Sequence, residues 1–423
     1  MIAQIANNLF WWGGVVLLGI VTLQSLVALG GSVQRWRRDQ QRRRWRDEIL
    51  RSQLSLARHR PDVLSESGVA WAGWRKFRVA RKELENGEQN ICSFYLEPHD
   101  GKAVPTFEPG QYLTFQARLP GEDRPLVRCY SLSAAPQEAV YRVSIRRVPP
   151  PRDSELPPGR MSSHFHDHVN VGDILDVKAP GGSFTLDTTR SNPVVLLAGG
   201  VGITPMLSML NAVAASGMDR ECWLFYGVIH GDDQIMKQHL RRINAEHPNI
   251  HVRLCYSNPR EDVDVLGRDY DHAERVSVAL MQRLLPSNNY DFYMCGPPPM
   301  MDSLKADLKA WGVPDDRVHS EAFGPVHSKK PVKVESSAKT VDVKFVRSNK
   351  TCHWTPESGT LLDLARTHNI AVDSGCEQGD CGTCMLPIHS GDVEYQKPPG
   401  FEAEGGTCLP CVCTPQESLE LDA

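Results

Sequence analysis

Asp373-Ser-Gly-Cys376-Glu-Gln-Gly-Asp-Cys381-Gly-Thr-Cys384 is the stretch from which the rest of the chain can be read. Its cysteines follow the spacing Cys-x4-Cys-x2-Cys, which suits a loop wrapped around a [2Fe–2S] cluster. Gly375, Gly379 and Gly382 let the backbone curl tightly enough to aim N–H groups at the sulfurs. Such a cluster needs four thiolates, and the fourth must come from Cys408, Cys411 or Cys413. A rival reading pairs Cys381-x2-Cys384 with Cys408-x2-Cys411 as a four-cysteine zinc site, which leaves Cys376 idle.

The chain has 423 residues, enough for two to four domains. Its formal net charge of −4 gives no global case for nucleic-acid binding. Six of the 12 cysteines, Cys376, Cys381, Cys384, Cys408, Cys411 and Cys413, cluster near the C-terminal end with metal-ligand spacing, unlike a disulfide framework, and imply a reducing compartment.

Residues 1–34 contain no charged side chain, and Leu9 to Gly31 is a long apolar run. About 20 apolar residues suffice for a membrane-spanning helix. Trp11 and Trp12 stand at one end, as in an aromatic belt, and Met1 to Asn8 lacks the basic segment of a cleaved signal. Arg35, Arg37, Arg38, Arg42, Arg43, Arg44 and Arg46 follow. The positive-inside rule then places the N-terminus outside and the remainder in the cytoplasm, a single-pass protein of the cell inner membrane. The basic segment would touch anionic headgroups, and Pro61 ends it.

From about Trp71 short alternating stretches with turn signals predict an antiparallel barrel: Phe77 to Arg81, Ile91 to Leu96, Gly110 to Phe115, Arg128 to Ser133 and Tyr141 to Arg147. Arg128, Tyr130 and Ser131 put a cation, a ring and a hydroxyl at one strand end, as a flavin's phosphate and ring system require. Gly159 to Ser162 precede an amphipathic stretch, His164 to Val169, whose helix N-terminus could hold a second phosphate. Tyr130 could equally be barrel core. Pro149 to Pro158 reads as an extended loop.

Pro193 to Ala198 is a continuous apolar run, the mark of a buried parallel strand. Gly199-Gly-Val-Gly202-Ile-Thr204-Pro205 turns from it into a helix predicted over Met206 to Ala214, a place for pyrophosphate. Strands at Trp223 to Val228, Val252 to Tyr256 and Tyr290 to Cys295 complete an α/β doubly wound sheet, with a last helix opening at about Met300. No arginine cluster follows Tyr226-Gly-Val, which favours NADH over NADPH, although Ser257 and Arg260 could grip a 2′-phosphate.

Phe94-Tyr-Leu-Glu-Pro, Phe107-Glu-Pro-Gly-Gln-Tyr112 and Ala322-Phe-Gly-Pro325 resemble the reductase half of flavohaemoglobins, within the ferredoxin–NADP reductase superfamily. The resemblance covers about residues 72 to 325. It implies FAD contacted through Tyr112, Arg128, Tyr130, Ser131, Arg146, Gly159, Met161 and Ser162, with Ala322, Phe323, Gly324 and Pro325 covering the ring. It implies nicotinamide-nucleotide contacts at Gly199, Gly200, Gly202, Thr204, Cys295, Gly296 and Pro297, and makes Ser131, Cys295 and Phe323 the candidate catalytic residues. Cys376 to Cys384 together with Leu409-Pro-Cys411-Val-Cys-Thr-Pro415 resembles a plant-type ferredoxin domain, which implies the metal ligands Cys376, Cys381, Cys384 and Cys411. Cys408 and Cys413 then become small buried side chains.

The organisation that follows is an anchor (1–34), a basic juxtamembrane helix (35–68), an FAD-binding barrel (69–190), an NAD(P)-binding domain (191–325), a linker (326–338) and an α+β ferredoxin-like domain (339–423). The expected function is a membrane-anchored reductase passing electrons from NADH through FAD to a [2Fe–2S] cluster. As oxygenase reductase components do, it would supply an oxygenase, hydroxylase or desaturase, itself membrane-bound or soluble. Alternatives are a quinone or ferric reductase at the membrane, or a non-catalytic carrier subunit of a larger complex.

Overall fold

Alternating burial builds the first sheet from β1 (Arg75–Leu84), β2 (Ile91–Pro98), β3 (Tyr112–Ala117), β4 (Leu126–Ser131), β5 (Tyr141–Arg146) and β6 (Ile174–Gly181). The computed structural model describes residues 71–423 except 72, 122–124, 151–156, 218, 324–339, 380, 397–398, 402 and 404. The expected anchor, the basic helix, the linker, and Gly324 and Pro325 of the ring cover lie outside the described residues. Among the described residues no helix is long and apolar enough to cross a membrane.

The six strands are all antiparallel, in the order β4-β3-β6-β1-β2-β5. An antiparallel bridge between Leu132 and Val143 joins the two edge strands and closes the barrel. Its core is aromatic: Phe77, Phe94, Phe115 and Tyr141 are buried, and Phe165 enters from α1 (Arg160–Asp167). The Phe165 ring meets Phe94 and Phe115 edge-on at 5.2 and 5.3 Å, a favoured aromatic geometry that pins the helix to the barrel mouth. Helix α1 starts earlier than His164 because Gly159 to Ser162 form its cap and first turn. There Ser162 Oγ donates to the Gly159 carbonyl (2.9 Å) and accepts from the Val148 N–H (3.1 Å).

The second domain runs β7 (Val194–Gly199), α2 (Ile203–Ser216), β8 (Cys222–Val228), α3 (Lys237–Glu246), β9 (Ile250–Tyr256), α4 (Val278–Leu284), β10 (Asp291–Cys295), α5 (Pro298–Ala310) and β11 (Val318–Glu321). Every residue of β7 is buried, as a strand covered on both faces requires. The parallel order β11-β10-β7-β8-β9 reverses direction between β7 and β10. Ligands of open α/β sheets bind at the carboxyl ends of the strands where such a reversal leaves a crevice. The loops there pack closely: a Cβ on Gly202 would lie 2.2 Å from the Cys295 carbonyl oxygen, so only glycine fits.

The third domain contains β12 (Val341–Phe345), β13 (Lys350–Trp354), α6 (Leu361–Thr367), β14 (Leu386–Ser390), β15 (Val393–Tyr395), β16 (Thr407–Cys408), β17 (Cys413–Pro415) and β18 (Leu419–Leu421). Its five-stranded sheet has the order β13-β12-β18-β14-β16, beside a β15-β17 pair. Thr360 caps α6 reciprocally with Asp363: Thr360 Oγ1 accepts from the Asp363 N–H (3.2 Å) and the Asp363 carboxylate accepts from the Thr360 N–H (3.0 Å). With Leu361, Leu362, Leu364 and Ala365 buried, Arg366 is left facing the cysteine loop.

Candidate functional site

A cavity of about 660 Å³ opens at the mouth of the barrel, within the size range of cofactor sites. Tyr112, Arg128, Tyr130, Ser131, Arg146, Gly159, Met161, Ser162, Ala322 and Phe323 all line it, brought from β3, β4, β5, α1 and the end of β11. Arg128 and Arg146 supply cations, and α1 presents its N-terminus, without a capping side chain, to the same space. Together they suit a doubly charged pyrophosphate. Tyr130 has both roles considered for it. Its ring packs on Phe115 and Phe165 at 5.9 and 5.4 Å, yet it also forms part of the wall, and burial keeps its phenol protonated well above the ordinary range. Phe323 is 43% exposed, available to stack on a planar ligand.

The nucleotide loop borders this cavity through Val201 and Thr204, while Gly199, Gly200, Gly202, Gly296 and Pro297 stand off its wall, at the β7–β10 crevice. Cys295 also departs from the expected arrangement. It is fully buried in the apolar core beneath β7, where burial and then the Glu321 carboxylate hold its thiol neutral, so the wall at this point is Ser131 and Glu321 instead. Ser131 Oγ donates to Glu321 Oε2 at 3.5 Å. Glu321 was not singled out in the sequence; a carboxylate closing a strand immediately before Ala322-Phe323 was the available sign. Arg260, weighed as a 2′-phosphate ligand, is bound to Asp232 (2.6 Å) and lies 3.6 Å from Asp264.

In the cysteine loop the sulfurs fall into two pairs. The Cys376 N–H donates to Cys381 Sγ (3.2 Å), the Gln378 N–H to Cys376 Sγ (3.3 Å), and Cys384 Sγ lies 3.2 Å from Cys411 Sγ. Glu377, Gly379 and Gly382 have φ of +57°, +81° and +65°, which produces the curl. A Cβ on Gly375 would stand 2.8 Å from Cys381 Sγ, so the loop closes around its sulfurs only with glycine there. Among the described residues no three metal-binding side chains converge on one point, as a zinc ion would require. Two pairs fit two irons with two thiolates each. Cys384 and Cys411 share an apolar pocket with Leu362, Leu409 and Val412, whereas Cys408 and Cys413 belong to the main core of the domain.

The walls of the cavity therefore come from all three domains, because Val201 and Thr204 of the second and Arg366 and Gly375 to Gln378 of the third line it together with the barrel residues. The fold and this site define a flavin and iron–sulfur oxidoreductase, and the chain belongs to the ferredoxin–NADP reductase superfamily, with a C-terminal [2Fe–2S] ferredoxin domain. Its residues 76–186 match the oxidoreductase FAD-binding domain family, 196–306 the oxidoreductase NAD-binding domain family and 345–416 the 2Fe-2S iron-sulfur cluster binding domain family. FAD, NAD(P)H and a [2Fe–2S] cluster are its cofactors. The flavohemoprotein of Halalkalibacterium halodurans is 38% identical over 266 residues, 62% of this chain; the chain spans 64% of that relative's length. The flavohem-like FAD/NAD-binding domain of nitric oxide dioxygenase from Vibrio cholerae is 32% identical, with a TM-score of 0.52, covering 60% of this chain and 100% of that one. Phthalate dioxygenase reductase is 27% identical, with a TM-score of 0.52 over 83% of this chain and 98% of that one.

Proposed function

We propose that the protein carries electrons from NADH through FAD to a cluster held by Cys376, Cys381, Cys384 and Cys411, and on to a partner oxygenase, hydroxylase or desaturase. The observation that carries this reading is the shared cavity, which residues of the barrel, the nucleotide loop and the cysteine loop all line. Bound FAD accepts electrons in pairs and releases them singly, which suits a cluster that takes one at a time.

The residues divide the work: Arg128, Arg146 and the α1 N-terminus would hold the diphosphate of bound FAD, Tyr130 and Phe323 would pack against its ring system, and Ser131, bonded to Glu321, would offer a hydrogen-bonding group in the same wall. The apolar pocket around Cys384 and Cys411 excludes water from that pair. Asp232 and Asp264 occupy Arg260 and add negative charge where a 2′-phosphate would sit, which supports NADH over NADPH.

An oxygenase-type partner is supported by the likeness to phthalate dioxygenase reductase, a modular protein for electron transfer from pyridine nucleotides to [2Fe–2S]. Attachment to the inner membrane, with the catalytic domains cytoplasmic, rests on the uncharged residues 1–34 and the arginines after them. The test is to purify the full chain from detergent-solubilised membrane, assay flavin, iron and acid-labile sulfide, and follow NADH oxidation with a soluble one-electron dye. We expect FAD and a [2Fe–2S] cluster, steady turnover, and turnover preserved after deletion of residues 1–60. The anchored form should outperform the truncated one only with a membrane-bound acceptor, for which confinement raises the effective concentration. Zinc in place of iron, or no dye reduction, would refute the electron path; a soluble full-length protein would refute the anchor.

A further inference from the structure

The β1–β2 hairpin belongs to the barrel, yet its turn is keyed into the second domain. Asn86 braces the turn: its Oδ1 accepts from the N–H groups of Asn90 (3.2 Å) and Ile91 (3.1 Å), and its Nδ2 donates to Asn90 Oδ1 (2.9 Å). Ile91, the first residue of β2, is buried in the core that β7, β8 and β9 share. At the tip, the N–H groups of Gly87 and Glu88 both donate to the Asp232 carbonyl (3.0 and 3.4 Å). The fit there is close, because a Cβ on Gly87 would stand 2.7 Å from Asp232 Oδ1 and 2.8 Å from its Cγ. Gly87 does not have a positive φ, so alanine suits its backbone and the contact alone is the obstacle. Asp232 follows β8 in the short turn Gly231–Asp233, and Arg260 follows β9. Both therefore stand at the carboxyl ends of adjacent parallel strands, where open α/β sheets bind their ligands. There Asp232 Oδ2 accepts from Arg260 Nη1 at 2.6 Å. One turn of the flavin barrel thus grips the backbone, and abuts the side chain, of the residue that occupies Arg260.

We propose that Gly87 is a positioning residue for nucleotide selection: the barrel turn sets the Asp232 carboxylate on Arg260, and so decides across the domain boundary whether Arg260 is free to receive a 2′-phosphate. The inference rests on the reading that Asp232 and Arg260 favour NADH. A carboxylate and a phosphate compete for the same guanidinium through charge-assisted hydrogen bonds, so the placement of Asp232 controls the competition. A methyl group added at Gly87 has one way to be relieved. The turn is held by Asn86 on one side and by buried Ile91 on the other, whereas the Asp232 side chain is 45% exposed and can turn away. Arg260 would then keep only Asp264, whose Oδ2 lies 3.6 Å from its Nε.

The test compares the full-length parent with Gly87→Ala, Asp232→Asn and the double variant. Three quantities are measured: kcat/KM for NADH and for NADPH with a soluble one-electron dye, the dissociation constants of NAD+ and NADP+ by calorimetry, and FAD content. Gly87→Ala should keep its FAD, lower the NADH-over-NADPH ratio several-fold in kcat/KM, and tighten NADP+ relative to NAD+ by a similar factor. The double variant should match Asp232→Asn alone, because two changes acting through one bond do not add. Asn86→Ala, which loosens the turn without adding volume, should shift both ratios the same way by less; if Gly87→Ala does not fold, unchanged ratios in Asn86→Ala overturn the proposal. Unchanged ratios in Gly87→Ala beside shifted ones in Asp232→Asn also overturn it. So do effects that multiply in the double variant, or a folded Gly87→Ala without FAD, since the substitution then acts within the barrel. An Asp232→Asn variant with the parent's ratios overturns the underlying reading of Arg260, and the inference with it.

Discussion

Arg366 is the residue whose removal should most directly loosen the iron-binding loop. It comes from the capped helix α6 and grips Glu377 with both guanidinium nitrogens; Nη1 to Oε2 is 3.2 Å, and Nη2 also reaches Ser374 Oγ at 3.1 Å. Glu377 is buried, with 10% of its side chain exposed, and its backbone is held at a positive φ. The two partners are unequal, since the Arg366 side chain is 44% exposed and can be solvated if left alone. Removing one member of a fully buried pair costs about 3–5 kcal/mol, and an exposed pair about 0–1 kcal/mol. A buried carboxylate facing a half-exposed arginine belongs between these limits, so Arg366→Gln should cost about 2 kcal/mol, a factor of roughly 30 in a local opening equilibrium. Glu377→Gln leaves only a solvated arginine and should cost well under half of that. The assay is loss of the visible cluster absorption under excess chelator at neutral pH. Arg366→Gln should lose its cluster at least tenfold faster than the parent and clearly faster than Glu377→Gln. Equal rates for the two variants would refute the argument that burial of Glu377 makes the clamp asymmetric.

Cys411→Ser should abolish the cluster, whereas Cys408→Ser and Cys413→Ser retain it because those sulfurs lie in the main core; iron content and visible absorption decide it. Asp232→Asn should release Arg260 from one of its two carboxylates and lower the NADH-over-NADPH preference several-fold in kcat/KM; an unchanged ratio would remove Arg260 from the account. Asp269 is held well below the ordinary carboxylate range, first by the Arg268 hydrogen bond and also by Lys237. Because its folded value is depressed, its contribution is complete above the unfolded value of about 4 and is lost as pH falls through the folded value. Asp269→Asn should therefore lower the melting temperature at pH 7 and lower it by less at pH ~3, because the contribution shrinks progressively as pH falls from the unfolded value of about 4 toward the folded one, checked by thermal unfolding at both values.

Much of the architecture was legible because its signals are local. The unbroken apolar run at β7 has the pattern of a strand covered on both faces, and the glycine-rich turn from Gly199 to Thr204 leads into the helix expected after it. Cys376, Cys381 and Cys384 carried their own spacing. What escaped the sequence depends on packing between distant segments. Cys295 sits at the expected strand end, yet the parallel pairing of β10 with β7 sets it beside Ala198 in the buried core. Glu321 matters because β11 pairs with β10 in register and delivers it to Ser131. The choice of Cys411 over two neighbours came with the resemblance to ferredoxins; the structure adds which sulfur lies against Cys384.

The central claim is that one chain holds nucleotide, flavin and cluster along a single path. Anaerobic stopped-flow mixing of NADH with the full-length protein tests it most directly, by following flavin and cluster absorption together over a range of protein concentrations. The account predicts that flavin bleaching comes first and that cluster reduction follows at a rate independent of protein concentration. A cluster rate that rises in proportion to protein concentration, or a cluster that stays oxidised while the flavin is reduced, would contradict it.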